Sequence, residues 1–144
     1  MPFQAPADGV LLPPYRILDL TGPEGVFCGK LLADYGADVV KIEPPGGDAA
    51  RQRPPFIGDQ PGPERSSYFL FYNTNKKSVT LDLESPQGQD LFKKMTATAD
   101  VVIESFSVGY MKSLGLDFDS LKTANPGLVM ASITPFGQTG PWKD

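Results

Sequence analysis

The chain is 144 residues long, 40% hydrophobic and 21% charged, with a formal net charge of −4, the scale and balance of one folded domain rather than a disordered or fibrous chain. No basic run is longer than Lys76–Lys77, which argues against a broad nucleic-acid-binding face, and no stretch approaches the ~20 apolar residues of a membrane span. The single Cys28 has no partner for an internal disulfide, and the start MPFQAPADGVLLPP lacks the charged and apolar regions of a secretory leader, so a cytoplasmic protein is expected.

Residues 1–14 read as an extended N-terminal segment and 15–144 as one domain. RILDL (16–20) is a short apolar run ahead of Thr21, Gly22 and Pro23. GVFCGKLLADYG then spaces Phe27, Leu31 and Tyr35 at i, i+4, i+8 before Gly36, which predicts a helix with that apolar face and a glycine stop. ADVVKIE (37–43) follows as a second buried strand and completes a βαβ unit of about 30 residues.

Residues 44–66 lose all periodicity and form either a functional or a mobile loop. SYFLFYN and SVTLDL read as extended segments around the turn NTNKK. In SPQGQDLFKKMTATA, Ser85 is a predicted N-cap, Pro86 stands at the first helical position, and Leu91, Met95 and Ala99 mark one face. DVVIES (100–105) is the next strand; GYMKSLG and DFDSLKTAN are two short helices, and LVMASIT (128–134) is the last apolar run. Continuous apolar strands alternating with helices predict a Rossmann-like α/β fold, a mostly parallel sheet with helices on both faces.

In such sheets ligands sit beyond the carboxyl ends of the strands. The positions so selected are Thr21 to Gly25, Glu43 to Arg51, Asp82 to Ser85, Glu104 to Phe106 and Thr134 to Pro141. The turn TGPEGVFCG fails as a dinucleotide fingerprint: its glycines are not spaced GxGxxG, and Glu24 would put a carboxylate where a pyrophosphate belongs. These glycines are expected to serve turning and close helix packing instead. With no histidine in the chain, Ser-His-Asp and Cys-His arrangements and most zinc sites are excluded within it, and no metal is expected. Cys28, flanked by apolar residues, reads as a small core residue. The amides and ammonium groups of NTNKK suit either a phosphate ester or a solvated turn, and Arg51 and Arg53 in the long loop carry the same two alternatives.

Taken together, ILDLTGPEGVFCGKLLADYGADVVKIEPPGGDAAR, NTNKKSVTLDLESPQGQDLF, ADVVIESFSVGYMKSLGLDFDSL and NPGLVMASITPFGQTGP resemble the amino-terminal part of the class III CoA-transferases, the CaiB/BaiF family, from about residue 15 onward. The resemblance implies a Rossmann-like CoA-binding large domain, here incomplete, and an interlinked dimer. It also implies transfer of CoA from an acyl-CoA to a free carboxylate through aspartyl intermediates. Coenzyme A would be a substrate, with no permanently bound cofactor. Carried over by position, the adenine and phosphate end of CoA would meet Lys76, Lys77, Leu81 and Asp82. Ser105 and Phe106 would line the same site, and Pro23 and Glu24 would face the thiol end.

Pro44 and Ser113 stand where some members carry arginine, so Arg51 or Lys112 would have to supply that charge. The family's catalytic aspartate is expected beyond Asp144, so no catalytic residue is assigned within the chain. It would act as a homo-oligomer or with a second chain bearing the catalytic part. The same superfamily includes α-methylacyl-CoA racemases, whose histidine also lies after the corresponding loop. EPPGGD, NTNKKSVTLDLE and ITPFGQTGP resemble the transferase-type members more closely. A non-catalytic acyl-CoA-binding module is the third alternative.

Overall fold

The structure, a computed structural model, describes residues 11–12 and 15–143; the expected extended segment 1–14 falls almost wholly outside them. The strands β1 (Arg16–Leu20), β2 (Asp38–Glu43), β3 (Lys77–Thr80), β4 (Val101–Glu104) and β5 (Val129–Ser132) form a 5-stranded sheet in the order β3-β2-β1-β4-β5. Every pairing is parallel, with Leu18 opposite both Val40 and Val102. The order reverses between β1 and β4, so the crevice expected for a ligand opens beyond the carboxyl ends of those two strands.

Side chains alternate along a strand, and the two faces of this sheet differ in kind. Leu18, Leu20, Ile42 and Val102 pack with Phe92, Met111 and Leu121 from the helices α3 (Pro86–Thr96), α4 (Tyr110–Ser113) and α5 (Phe118–Leu121), and with Leu116 from the connection between the last two. On the opposite face Ile17, Val39 and Ile103 meet Ala33 and Ala37, at and just beyond the end of α1 (Val26–Asp34). Alternation puts Asp19, Lys41 and Glu43 on this second face, nearer the ligand crevice, and all three are buried. No helix among the described residues is long and apolar enough to cross a membrane.

Local signals account for most boundaries. Gly36, at φ 100°, ends α1 in a conformation that residues with a Cβ resist. Ser85 caps α3 by accepting from the Gly88 amide at 3.0 Å, with Pro86 at the first position. Asn125 ends the run after α5 and donates to the carbonyls of Thr96 and Ala99.

Three expectations are corrected. The face Phe27, Leu31, Tyr35 of α1 does not point at the sheet; these residues are 51%, 38% and 49% exposed. The helix instead buries its small side, Gly29 and Ala33, which lets its backbone approach the buried ion pairs of the sheet, while Phe27 meets Tyr72 edge-on at 6.3 Å. SYFLFYN is helical, not extended: α2 (Ser67–Asn73) starts where Ser66 Oγ accepts from the Phe69 amide. That cap outweighs the β propensity of the aromatics. In α3, Phe92 and not Leu91 is the inward anchor; Leu91 is 49% exposed, while Met95 and, just beyond the helix, Ala99 do face the core.

Candidate functional site

The first site loop, 21–25, is held from three directions. Its Thr21 amide and hydroxyl both donate to Asp19 Oδ1, at 2.9 and 2.6 Å, and its Thr21 carbonyl accepts from Lys41 Nζ at 2.6 Å. The Gly22 amide donates to Ser105 Oγ at 2.8 Å, which joins the ends of β1 and β4 across the crevice. Lys41 also pairs with Asp48 at 2.7 Å, so one buried ammonium fastens the site loop to the long segment that follows β2.

That segment is ordered by Glu43. Its carboxylate accepts from Arg51 Nε and Nη2 at 2.6 and 2.7 Å, from the Asp48 amide at 2.8 Å, and from the Ser78 hydroxyl. The Arg51 guanidinium lies 3.8 Å from the centroid of Phe69, and Ser66 Oγ donates to the carbonyls of Ala50 and Arg53. The stretch 44–66 is therefore a bonded scaffold, and Arg51 is consumed in it; Arg53 lies over the Tyr68 ring at 4.4 Å.

Burial alone would raise the Glu43 carboxyl, but the hydrogen bonds from Arg51, Ser78 and Asp48 outweigh it and bring it from 4.5 to about 2. A depressed folded value means stability that is present above pH 4.5 and lost as pH falls toward 2. Unfolding midpoints measured across that window should decline in the native protein, and Glu43→Gln should flatten that part of the decline. An unchanged slope would contradict the assignment.

Two adjoining clefts open at the strand ends, with Phe106 lining both. The larger, about 600 Å³, is lined by Glu24, Ser105, Phe106, Ile133, Thr134 and Phe136 among others. At its wall the Thr134 hydroxyl is the buried side-chain polar atom without a hydrogen-bond partner among the described residues. The smaller, about 280 Å³, is flanked by Pro44, Pro45, Leu81, Asp82, Phe106 and Tyr110. Phe106 and Tyr110 face each other at 4.6 Å between centroids, tilted by 41°. The Phe106 backbone is fixed from below, its amide donating to the buried Glu104 carboxylate at 2.7 Å.

Five of the sequence-predicted residues line these clefts: Glu24 on the first loop, Leu81 and Asp82 after β3, Ser105 and Phe106 after β4; Pro23 precedes Glu24 on the same loop and lines neither cleft. Lys76 and Lys77 do not join them. The Lys76 side chain, 1% exposed, pairs at 2.7 Å with Asp19, which is 0% exposed, and donates also to the Val26 carbonyl and Asn73 Oδ1. Burial pulls its ammonium below the ordinary lysine value, and the Asp19 carboxylate opposes that shift. Lys77 stands at the amino end of β3, paired with Asp38 at the start of β2, on the opposite edge of the sheet from the clefts.

Cys28 sits near the same pair. Burial and the Asp19 charge raise its thiol, against a smaller opposing pull from Lys76, which leaves it unsuited to act as a nucleophile. Among the described residues no group of three or more Cys, Asp or Glu is placed to hold a metal ion.

A sequence model of CoA-transferase family III matches residues 12–144. This chain belongs to that family. Among its relatives, succinyl-CoA:(R)-benzylsuccinate CoA-transferase subunit BbsE of Thauera aromatica is 40% identical over 127 residues, 88% of this chain and 31% of the relative. Succinate–glutarate CoA-transferase of Agrobacterium fabrum is 46% identical over 123 residues, 83% of this chain and 31% of the relative. A solved CaiB/BaiF family protein from Brucella suis superposes with a TM-score of 0.82 at 42% identity, covering 90% of this chain and 35% of that one. The family III chain therefore spans about a third of the length of these relatives, and corresponds to their amino-terminal portion.

Asp19 and Lys41, which hold the family III site loop, were not among the residues singled out from sequence. Their signal was present: within RILDL and DVVKIE, each is the one charged residue at an interior position of the strand, between apolar neighbours. A charge within a doubly covered strand must find a buried partner, and Lys76 and Asp48 are those partners.

Proposed function

We propose that the chain supplies the CoA-binding part of an enzyme that moves CoA between an acyl-CoA and a free carboxylic acid. The observation that carries this reading is the paired cleft at the β1/β4 crevice, with Phe106 between its two halves, in a chain of this family. The smaller half, walled by Leu81, Phe106 and Tyr110, suits the flat adenine ring. The larger, with Glu24, Ser105 and the unpartnered Thr134 hydroxyl, suits the amide-bearing pantetheine arm and the thioester.

The residues act by binding and orientation. Lys41, Asp19 and Ser105 fix the loop that carries Pro23 and Glu24, so the thiol end meets a wall that need not reorganise. The acyl-accepting carboxylate is assigned to a segment outside this chain, in a larger polypeptide or a companion subunit. The relative from Thauera aromatica and the succinyl-CoA–L-malate CoA-transferase beta subunit of Chloroflexus aurantiacus are both named as subunits, which supports assembly with another chain.

Calorimetric titration of the purified protein should show saturable CoA binding. Phe106→Ala should weaken it by roughly 5- to 150-fold, the equivalent of losing about 1–3 kcal/mol of ring stacking. In the complete enzyme, label from a free carboxylic acid should enter the acyl-CoA pool. Exchange of the α-proton of a 2-methylacyl-CoA without label transfer would favour racemase chemistry, and binding without either reaction a non-catalytic module.

A further inference from the structure

The charges around the smaller cleft bear on which part of a nucleotide it recognises. Apart from the apolar walls, its lining contributes two carboxylates, Asp82 and Glu84, and no cation among the described residues. Both carboxylates are exposed at the rim; Asp82 Oδ1 accepts from the Glu84 amide at 3.0 Å, and Glu84 Oε1 accepts from the Tyr110 hydroxyl at 3.4 Å. Tyr110 registers this field: burial first, then the Glu84 charge, raise its hydroxyl above the ordinary value.

The basic residues nearby in sequence are committed elsewhere. Arg51 is held by Glu43 and Glu64, Lys41 by Asp48, Lys76 by Asp19, and Lys77 by Asp38 across the sheet from the cleft. Lys112 lines a different pocket, beside Asp117 and Asp119. A phosphate monoester brought to the smaller cleft would meet two like charges, whereas sugar hydroxyls and an exocyclic amine are hydrogen-bond donors that carboxylates accept.

We infer that this site reads the nucleotide end of its coenzyme through the base and the sugar hydroxyls, with Asp82 and Glu84 as the specificity-determining residues, and draws no affinity from the 3′-phosphate. The inference rests on the CoA reading and refines it. Coenzyme A and dephospho-CoA differ only by that phosphate, so they isolate its contribution.

The test is titration of the purified protein with each compound at low and high ionic strength, in the native protein and in Glu84→Lys. In the native protein dephospho-CoA should bind as tightly as CoA or more tightly, with the two converging as salt screens the repulsion. Glu84→Lys should reverse the order, giving CoA an advantage of about tenfold at low salt that salt then erodes. Two results would overturn the inference: CoA bound about tenfold or more tightly than dephospho-CoA by the native protein, or an unchanged ratio in Glu84→Lys. Failure of both compounds to bind a folded protein would instead remove the CoA reading itself, and the inference with it.

Discussion

Replacing Lys76 by alanine should cost the protein about 3–5 kcal/mol of stability, the usual penalty for leaving one member of a buried ion pair alone. The substitution strands Asp19, which is fully buried and whose other oxygen already holds Thr21, and it removes the donor that ties Asn73 and the Val26 carbonyl together. Chemical unfolding monitored by circular dichroism would read the loss directly. Lys76→Met, which keeps the apolar stem, should recover little of it, since the exposed cost is the unpaired carboxylate. The alternative raised by the family resemblance, a lysine that touches the phosphate end of CoA, predicts the reverse: native stability with weakened CoA binding. The two variants therefore separate a cation that builds the site loop from one that binds ligand.

Gly29→Ala is expected to destabilise by about 3 kcal/mol or more, although alanine is the better helix former by about 1 kcal/mol. A methyl at this position would overlap the Asp19 carboxylate and lie 3.0 Å from Lys76 Nζ. Overpacking costs typically about 1–3 kcal/mol, and here relief requires either lifting α1 from the sheet or separating the ion pair. The helix-propensity gain is too small to compensate. A urea midpoint equal to or above the native one would show that α1 does not approach the sheet this closely in solution.

The fold was legible where one local rule sufficed. Ser85 with Pro86 and the glycine after Tyr35 placed boundaries, and apolar runs of strand length gave a parallel sheet and therefore the edge at which ligands gather. Helix faces were less legible. Choosing the largest apolar side chains, Phe27 and Leu31, assumes that burial maximises area, whereas α1 is positioned by polar atoms that demand a short distance and therefore a small contact side. The aromatic run of α2 misled for a related reason: only Phe69 is buried, beneath Arg51, and the capping serine decided the conformation. Of the candidate site, the residues directly after strands were readable from the strand-end rule. Lys76 and Lys77 were not, because adjacent basic residues look alike in sequence while the turn ahead of β3 sends Lys76 to Asp19 beneath α1 and the strand start sends Lys77 to Asp38 at the far edge.

The unlike faces of the sheet also set how the sequence can drift. On the side covered by α3, α4 and α5, Leu18, Ile42, Val102 and Phe92 belong to one apolar cluster, so exchanges of similar volume are each expected to carry a modest penalty and to be tolerated one at a time. Across the sheet, Asp19 with Lys76 and Lys41 with Asp48 are coupled, and a change at one member is costly until its partner changes as well. Sequence change is thus expected to proceed singly on one face and in paired steps on the other, the face that carries the loop at the mouth of the crevice.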